Sequence, residues 1–339
     1  MSCRTYSLYL ALISCITVAI NTATPEQTSA EPKEKTMTQQ TTPQPTGSLA
    51  FTTQSFEITD NTRQEPSDPS KKRKLILQCW IPQRPSSSAP QTPFPLILFS
   101  HGYLGVVPDD YSLILEDMAS HGYLVAAITH TSFATTTTFA DGRVIPMDED
   151  RLKNWSFERM CADQTIWTAD VQCVLSYLEH GVADSIHLLY GMYDSKKIGM
   201  CGHSFGGSTA FLMCLTDDRV KAGVNFDGAL MCTQKASSLT KPFLFMWAET
   251  SLKLWENTDQ EIATLTGYTP ELINQFRGAL ENAYDTAAQP ALSHITIPQF
   301  SHVDFTKNEM LKETPLPQDM IDALALIRTS VVDFFNKNL

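Results

Sequence analysis

The sequence lacks the marks of most cofactor and metal chemistry. Its 339 residues hold no G-x-G-x-x-G loop after a strand, no Walker-type phosphate loop and no H-E-x-x-H pair, so no cofactor is expected. No two cysteines form C-x-x-C, which argues against a zinc site. Beyond Cys3 and Cys15, the cysteines at 79, 161, 173, 201, 214 and 232 sit in apolar surroundings and read as free thiols behaving as small apolar residues; a single disulfide stays open for an exported chain. Positive charge is scarce too. Lys and Arg number 25 against 37 Asp and Glu, a net charge of −12, which excludes a nucleic-acid role built on clustered cations. The one basic run, Lys71-Lys72-Arg73-Lys74, lies beside the polar stretch Gln64 to Ser70 and reads as a solvated loop edge.

Long apolar runs are absent as well. Tyr6 to Ile20 spans about 15 residues, too short for a comfortable bilayer crossing but suited to the core of a secretory signal behind Arg4. Leu12-Ile13-Ser14-Cys15 resembles a bacterial lipobox, with Cys15 as the lipidated residue. The chain stays apolar through Ile20, which makes cleavage near Ala23 the alternative. Residues 1–23 are thus expected to be a signal or lipoprotein signal, and export follows: secreted, periplasmic or lipid-anchored at the cell envelope. Residues 24–47, rich in Thr, Gln and Pro, cannot offset ordering entropy and read as a disordered tether. With 42% apolar residues, 48–339 can bury one sizeable core as a single domain.

What is present is Gly202-His203-Ser204-Phe205-Gly206, a G-x-S-x-G pentapeptide followed by Gly207. Its context is a short buried strand, Lys197 to Cys201, and an apolar helix, Ser208 to Leu215. Strand, tight turn and helix together place a serine nucleophile on a strained elbow, where flanking side chains would collide with the neighbouring backbone. A hydroxyl needs a histidine base, and that base needs an acid to fix its tautomer. In elbow folds the order is serine, acid, histidine, so only His294 and His302 qualify. His294 opens an apolar strand, whereas His302 lies in the following loop, 299–305, where a reachable base belongs. For the acid, Asp227 ends the strand Val220 to Phe226 and Glu249 ends the next one, Pro242 to Trp247; spacing leaves them level. Oxyanion donors are expected from the backbone N–H of Phe205 and, in the loop after strand Pro95 to Ser100, of Tyr103, with Gly102 allowing the turn. His101 reads as orienting that loop and His203 as packing at the elbow.

Four stretches carry a family resemblance: Pro95 to His130, Ile198 to Gly207 (IGMCGHSFGG), Phe226 to Ala229, and Ser301 to Phe305. Together they resemble the plasma-type platelet-activating factor acetylhydrolases, group VII phospholipases A2 of the α/β-hydrolase superfamily. The resemblance runs with gaps from about Ser48 to the C-terminus, with no firm match between Thr250 and Ala291. It favours Asp227, 23 positions after Ser204, as the acid. The implied fold is an α/β-hydrolase: a mostly parallel central sheet, an antiparallel N-terminal edge and helices on both faces. The implied activity is removal of short or oxidised sn-2 acyl groups from phospholipids, through an acyl-enzyme on Ser204 with Asp227 and His302. A soluble carboxylesterase or polyester hydrolase and a non-catalytic surface protein are the alternatives. The expected partner is a small-molecule or lipid ester, with contact to a membrane surface left open.

Strands are expected at Ala50–Thr59, Leu75–Trp80, Leu96–Ser100, Leu124–Thr129, Ile198–Cys201, Val220–Phe226, Pro242–Trp247 and Ser293–Ile297. Helices are expected at Asp109–His121, Gln164–His180 and Gln318–Lys337, the last with Ile321, Leu324, Ala325, Val331 and Phe335 facing the core. A helical insertion at about 250–291 is expected to roof the pocket.

Overall fold

Short runs of branched and aromatic residues become strands buried on both faces: β3 (Phe94–Ser100), β4 (Leu124–Thr129), β8 (Val220–Phe226) and β9 (Phe243–Ala248) are buried along almost their whole length. Such strands need helices on each side of the sheet. The computed structural model describes residues 42–84, 92–103, 107–150, 156–180, 189–228, 230, 232, 239–286, 292–313 and 315–339. The expected signal, lipobox and most of the tether lie outside these residues.

Eight strands form one sheet in the order β1-β2-β4-β3-β7-β8-β9-β10, where β1 is Ala50–Glu65, β2 Asp68–Gln83, β7 Tyr193–His203 and β10 Leu292–Ile297. β2 pairs antiparallel with β1 and β4; every other pairing is parallel. The parallel strands therefore share one carboxyl edge, which is where ligand chemistry gathers in open α/β sheets. On one face lie α2 (Phe157–His180) and α3 (Phe205–Thr216), contributing Trp167, Val171 and Phe211 to the core. On the other lie α1 (Ser112–Ser120) and the C-terminal helix Gln318–Asn338, contributing Leu113, Ile114, Leu324 and Phe335. The segment after β9 folds as α4 (Glu249–Leu254), α5 (Asp259–Thr266) and α6 (Pro270–Thr286). Thr258 and Glu261 form a reciprocal capping box at the start of α5, and Gly267 ends it at φ 76°. Phe276 of α6 meets Phe157 of α2, which docks this segment on the α2 side of the sheet.

Several expectations need correction. The stretch Gln64–Ser70 is not a loop: β1 and β2 run on to Glu65 and from Asp68, because a two-stranded edge ribbon tolerates polar residues facing solvent. Within it Lys71 and Lys72 are exposed, but Arg73 is fully buried and paired with Glu65 and Asp170. Along the C-terminal helix the buried stripe is Ala323, Leu324, Ile327, Val331, Val332 and Phe335, whereas Ile321 and Ala325 face outward. A small hairpin, β5 (Thr136–Thr138) with β6 (Val144–Pro146), has no apolar alternation and escaped the sequence reading. Cys161 and Cys232 are joined in a disulfide rather than being free thiols, while Cys79, Cys173, Cys201 and Cys214 are free.

Candidate active site

Ser204 sits between β7 and α3 with φ 59° and ψ −123°, a left-handed conformation that an L-residue adopts only when its surroundings enforce it. Glycines make the enforcement possible. A Cβ on Gly206 would lie 2.1 Å from the Ser100 carbonyl oxygen, and one on Gly202 would lie 2.3 Å from that of Gly206. The elbow thus presses directly on the end of β3. The Ser204 amide donates to the Phe226 carbonyl at 2.8 Å, which ties the turn to the end of β8. Its hydroxyl is buried and has no hydrogen-bond partner among the described residues.

Asp227 follows Phe226 and also takes a left-handed backbone, φ 54°. Its amide donates to the Met246 carbonyl at 2.8 Å. One carboxylate oxygen, Oδ1, accepts the Ala248 amide at 2.9 Å; the other accepts the Ser251 hydroxyl at 2.5 Å and His302 Nδ1 at 2.8 Å. A carboxylate can only accept, so Nδ1 carries the ring proton and Nε2 keeps its lone pair for a proton from elsewhere. His302 opens a short 3₁₀ turn, His302–Phe305, after β10, and its ring lies 4.4 Å from that of His203, the residue before Ser204.

A directed chain of hydrogen bonds joins this base to the loop after β3. The Gly102 amide donates to the Tyr111 hydroxyl at 3.0 Å, and that hydroxyl donates to His203 Nδ1 at 2.8 Å. His203 Nε2 then donates to the His302 carbonyl at 2.9 Å. Burial, reinforced by His302, pushes the His203 pKa well below the usual histidine value, so the ring stays a neutral connector. The residues chosen as oxyanion donors are neighbours. Phe205 is the first residue of α3, where an amide has no intrahelical acceptor. The Tyr103 ring meets the Phe205 ring edge-on at 4.9 Å, and the Tyr103 hydroxyl donates to Asp163 of α2 at 2.6 Å.

The competitors lie elsewhere. Glu249 accepts the Gln299 amide at 2.8 Å and pairs with Lys253 at 2.9 Å. His294 lies within β10, stacked on Phe245 and accepting from Trp247. Three contributors had no mark in the sequence: Ser251, an unremarkable helix serine; Tyr111, nine positions from its Gly102 partner; and Asn225, whose amide grips both the N–H and C=O of Gly228. Asn225 could have been suspected only from a buried polar side chain within an apolar strand.

The family model described as "Platelet-activating factor acetylhydrolase, isoform II" matches residues 80–173 and 176–280. It includes Thr250 to residue 280, where the sequence alone offered no firm resemblance. The platelet-activating factor acetylhydrolase of Canis lupus familiaris is 31% identical over 182 residues, 46% of this chain and 40% of that protein. Its counterpart from Cavia porcellus is 31% identical over 157 residues, 40% of this chain and 35% of that protein. The match therefore spans less than half the length of either relative. In three dimensions, a ferulic acid esterase from Streptomyces cinnamoneus superposes with a TM-score of 0.67 over 87% of this chain and 92% of that one, at 22% identity. That likeness establishes the α/β-hydrolase fold alone. With more than half of its residues inside the family model, the chain belongs to the platelet-activating factor acetylhydrolase, isoform II, family.

Proposed function

We propose that the protein is a serine ester hydrolase that removes short or oxidised sn-2 acyl groups from phospholipids of the platelet-activating factor type. The observation that carries this reading is the contact of His302 Nδ1 with Asp227 at 2.8 Å, beside a Ser204 hydroxyl held on a left-handed turn without a partner. Family membership supports the substrate class. In this mechanism Ser204 Oγ attacks the ester carbonyl while His302 Nε2 takes its proton, and Asp227 stabilises the imidazolium. The amides of Phe205 and Tyr103 hold the oxyanion. His302 returns the proton to the departing alcohol, and water, activated by the same ring, then releases the acid.

We also infer that the chain is exported and meets its substrate at a lipid surface. Arg4 with the apolar run Tyr6 to Ile20 supports export, and so does the Cys161–Cys232 disulfide, a bond that persists in oxidising compartments. Among the described residues no helix is long and apolar enough to cross a membrane.

The test compares wild type and Ser204→Ala on a short-chain para-nitrophenyl ester and on an sn-2 acetyl phospholipid. Turnover of both, falling about 10⁵-fold in the variant, is expected. Turnover of the soluble ester alone would move the substrate to that of a carboxylesterase. Equal turnover by both proteins would remove Ser204 from the chemistry.

A further inference from the structure

Three hydrogen bonds fix His101 and Gly102, and one of them reaches the peptide that links Gly102 to Tyr103. The Gly102 carbonyl accepts from His101 Nδ1 at 2.7 Å, and His101 Nε2 accepts from the His130 amide at 3.1 Å. The Gly102 amide is held by Tyr111, as described above. Directions in this set are forced. An amide N–H only donates, so His101 Nε2 is bare; a carbonyl only accepts, so Nδ1 carries the proton. His101 is therefore neutral and locked in one tautomer. It is fully buried, and burial, helped by the neighbouring His130, takes its pKa down to about 3.

The geometry of the peptide unit turns this grip into a direction. In a trans peptide the C=O of one residue and the N–H of the next point opposite ways in one plane. Holding the Gly102 oxygen therefore sets the aim of the Tyr103 N–H. Without a hold, a glycine at that point would leave the plane free to rotate. The holder is itself immobilised: His130 is bonded to Asp170 at 2.9 Å and stacked 3.8 Å from Trp167, which also meets the rings of His101 and Phe205.

We propose that His101 is a positioning residue whose Nδ1–H, by gripping the Gly102 carbonyl, aims the Tyr103 amide at the substrate oxyanion. This rests on the serine esterase reading above. The role is separate from proton transfer, and it differs from packing because one end of the imidazole carries it.

Two substitutions separate the ends of that ring. In His101→Asn an amide nitrogen stands near the place of Nδ1 and keeps the Gly102 contact, leaving the His130 amide unmet. In His101→Gln the longer side chain offers an acceptor to the His130 amide and reaches past Gly102. Each variant of the full chain is assayed for kcat and KM on a short-chain para-nitrophenyl ester. Each is also assayed for inhibition by a trifluoromethyl ketone, whose carbonyl carbon bonds to Ser204 Oγ and whose oxygen becomes an oxyanion. His101→Gln is expected to lose about 10² in kcat with KM within about threefold, and to lose ketone affinity by a similar factor. His101→Asn is expected to stay within about tenfold of wild type. An Asn variant no better than Gln, a loss confined to KM, or unchanged ketone affinity would overturn the proposal.

Should neither variant fold, wild type labelled with ¹⁵N-tyrosine decides. Ketone binding is expected to move the Tyr103 amide proton downfield, and an unmoved resonance overturns the assignment. Failure of the underlying reading is distinguishable, since Ser204→Ala would then turn over ester like wild type and the ketone would not inhibit either protein.

Discussion

Among the described residues a hydrogen-bonded Ser-His-Asp set stands apart from the proposed catalytic one, and their contrast is instructive. In one, Ser100 Oγ lies 3.0 Å from His130 Nε2, and His130 Nδ1 lies 2.9 Å from Asp170, all fully buried. In the other, His302 meets Asp227 beside Ser204. Residue types are identical; backbone and bonding differ. Ser100 ends an ordinary strand, and its hydroxyl donates to His130 because His130 Nδ1–H is already given to Asp170. Ser204 stands on a left-handed turn with its oxygen unpartnered. The acids differ likewise. Asp170 is clamped by Arg73 at 2.6 Å and Arg63 at 2.8 Å. Burial alone would raise its pKa, but the Arg73 charge and the bonds from His130 and Arg73 outweigh that and hold it well below the usual carboxylate range. Among the described residues Asp227 is met by no cation of that kind but by an amide, a hydroxyl and the imidazole. A saturated set is a structural rivet; a set left one bond short is available for chemistry.

The contrast breaks most visibly at the acids. Asp227→Asn, which permits the wrong His302 tautomer, is expected to lower kcat about 10⁴-fold with the fold retained, measured by ester turnover alongside thermal unfolding. Asp170→Asn should do the opposite kind of damage. It leaves the Arg73 charge buried and underpaired, and urea unfolding is expected to show a loss of about 3–5 kcal/mol. If the two variants exchanged phenotypes, the roles of the two sets would have to be exchanged too.

A graded effect concerns pH. His101 falls from the ordinary 6.5 to about 3, so the unfolded chain takes up a proton that the folded one refuses between those values. Stability from this group is complete above pH 6.5 and is lost as pH falls towards 3, at about 1.4 kcal/mol per pH unit. His203 and His130, also depressed by burial, add to the slope. Urea midpoints from pH 7 to pH 4 measure it, and His101→Gln should remove about one proton's share. The smallest effect is Glu249→Gln. Its side chain still accepts the Gln299 amide, so kcat within about twofold of wild type is expected. A large loss there would restore Glu249 as the acid.

Legibility followed burial. β4 and β8 have the expected bounds, Leu124–Thr129 and Val220–Phe226, because turn or polar residues stand close outside them, Gly122 and His130 at β4 and Arg219 and Asp227 at β8. β1 and β2 were read too short since their outer halves are polar ribbon, where register comes from pairing and not from hydrophobicity. Ser204 and His302 could be named because elbow chemistry restricts chain order, whereas Asp227 needed the family resemblance, since spacing left it level with Glu249. Arg73 was misread because a basic run looks solvated until its acids arrive from Glu65 and a helix 97 positions away. Ser251, Tyr111 and the Cys161–Cys232 pairing depend on distant approach, for which a single sequence holds no spacing rule.

The disulfide has a topological consequence. It closes a covalent ring from residue 161 to residue 232 that contains Ser204 and Asp227 but leaves His302 outside. Tyr190 and Met192 lie exposed on that ring, 68% and 41% accessible. A protease that cuts the chain there produces two fragments still joined through sulfur. Electrophoresis without reductant would show an intact mass, and only reduction would let the halves part.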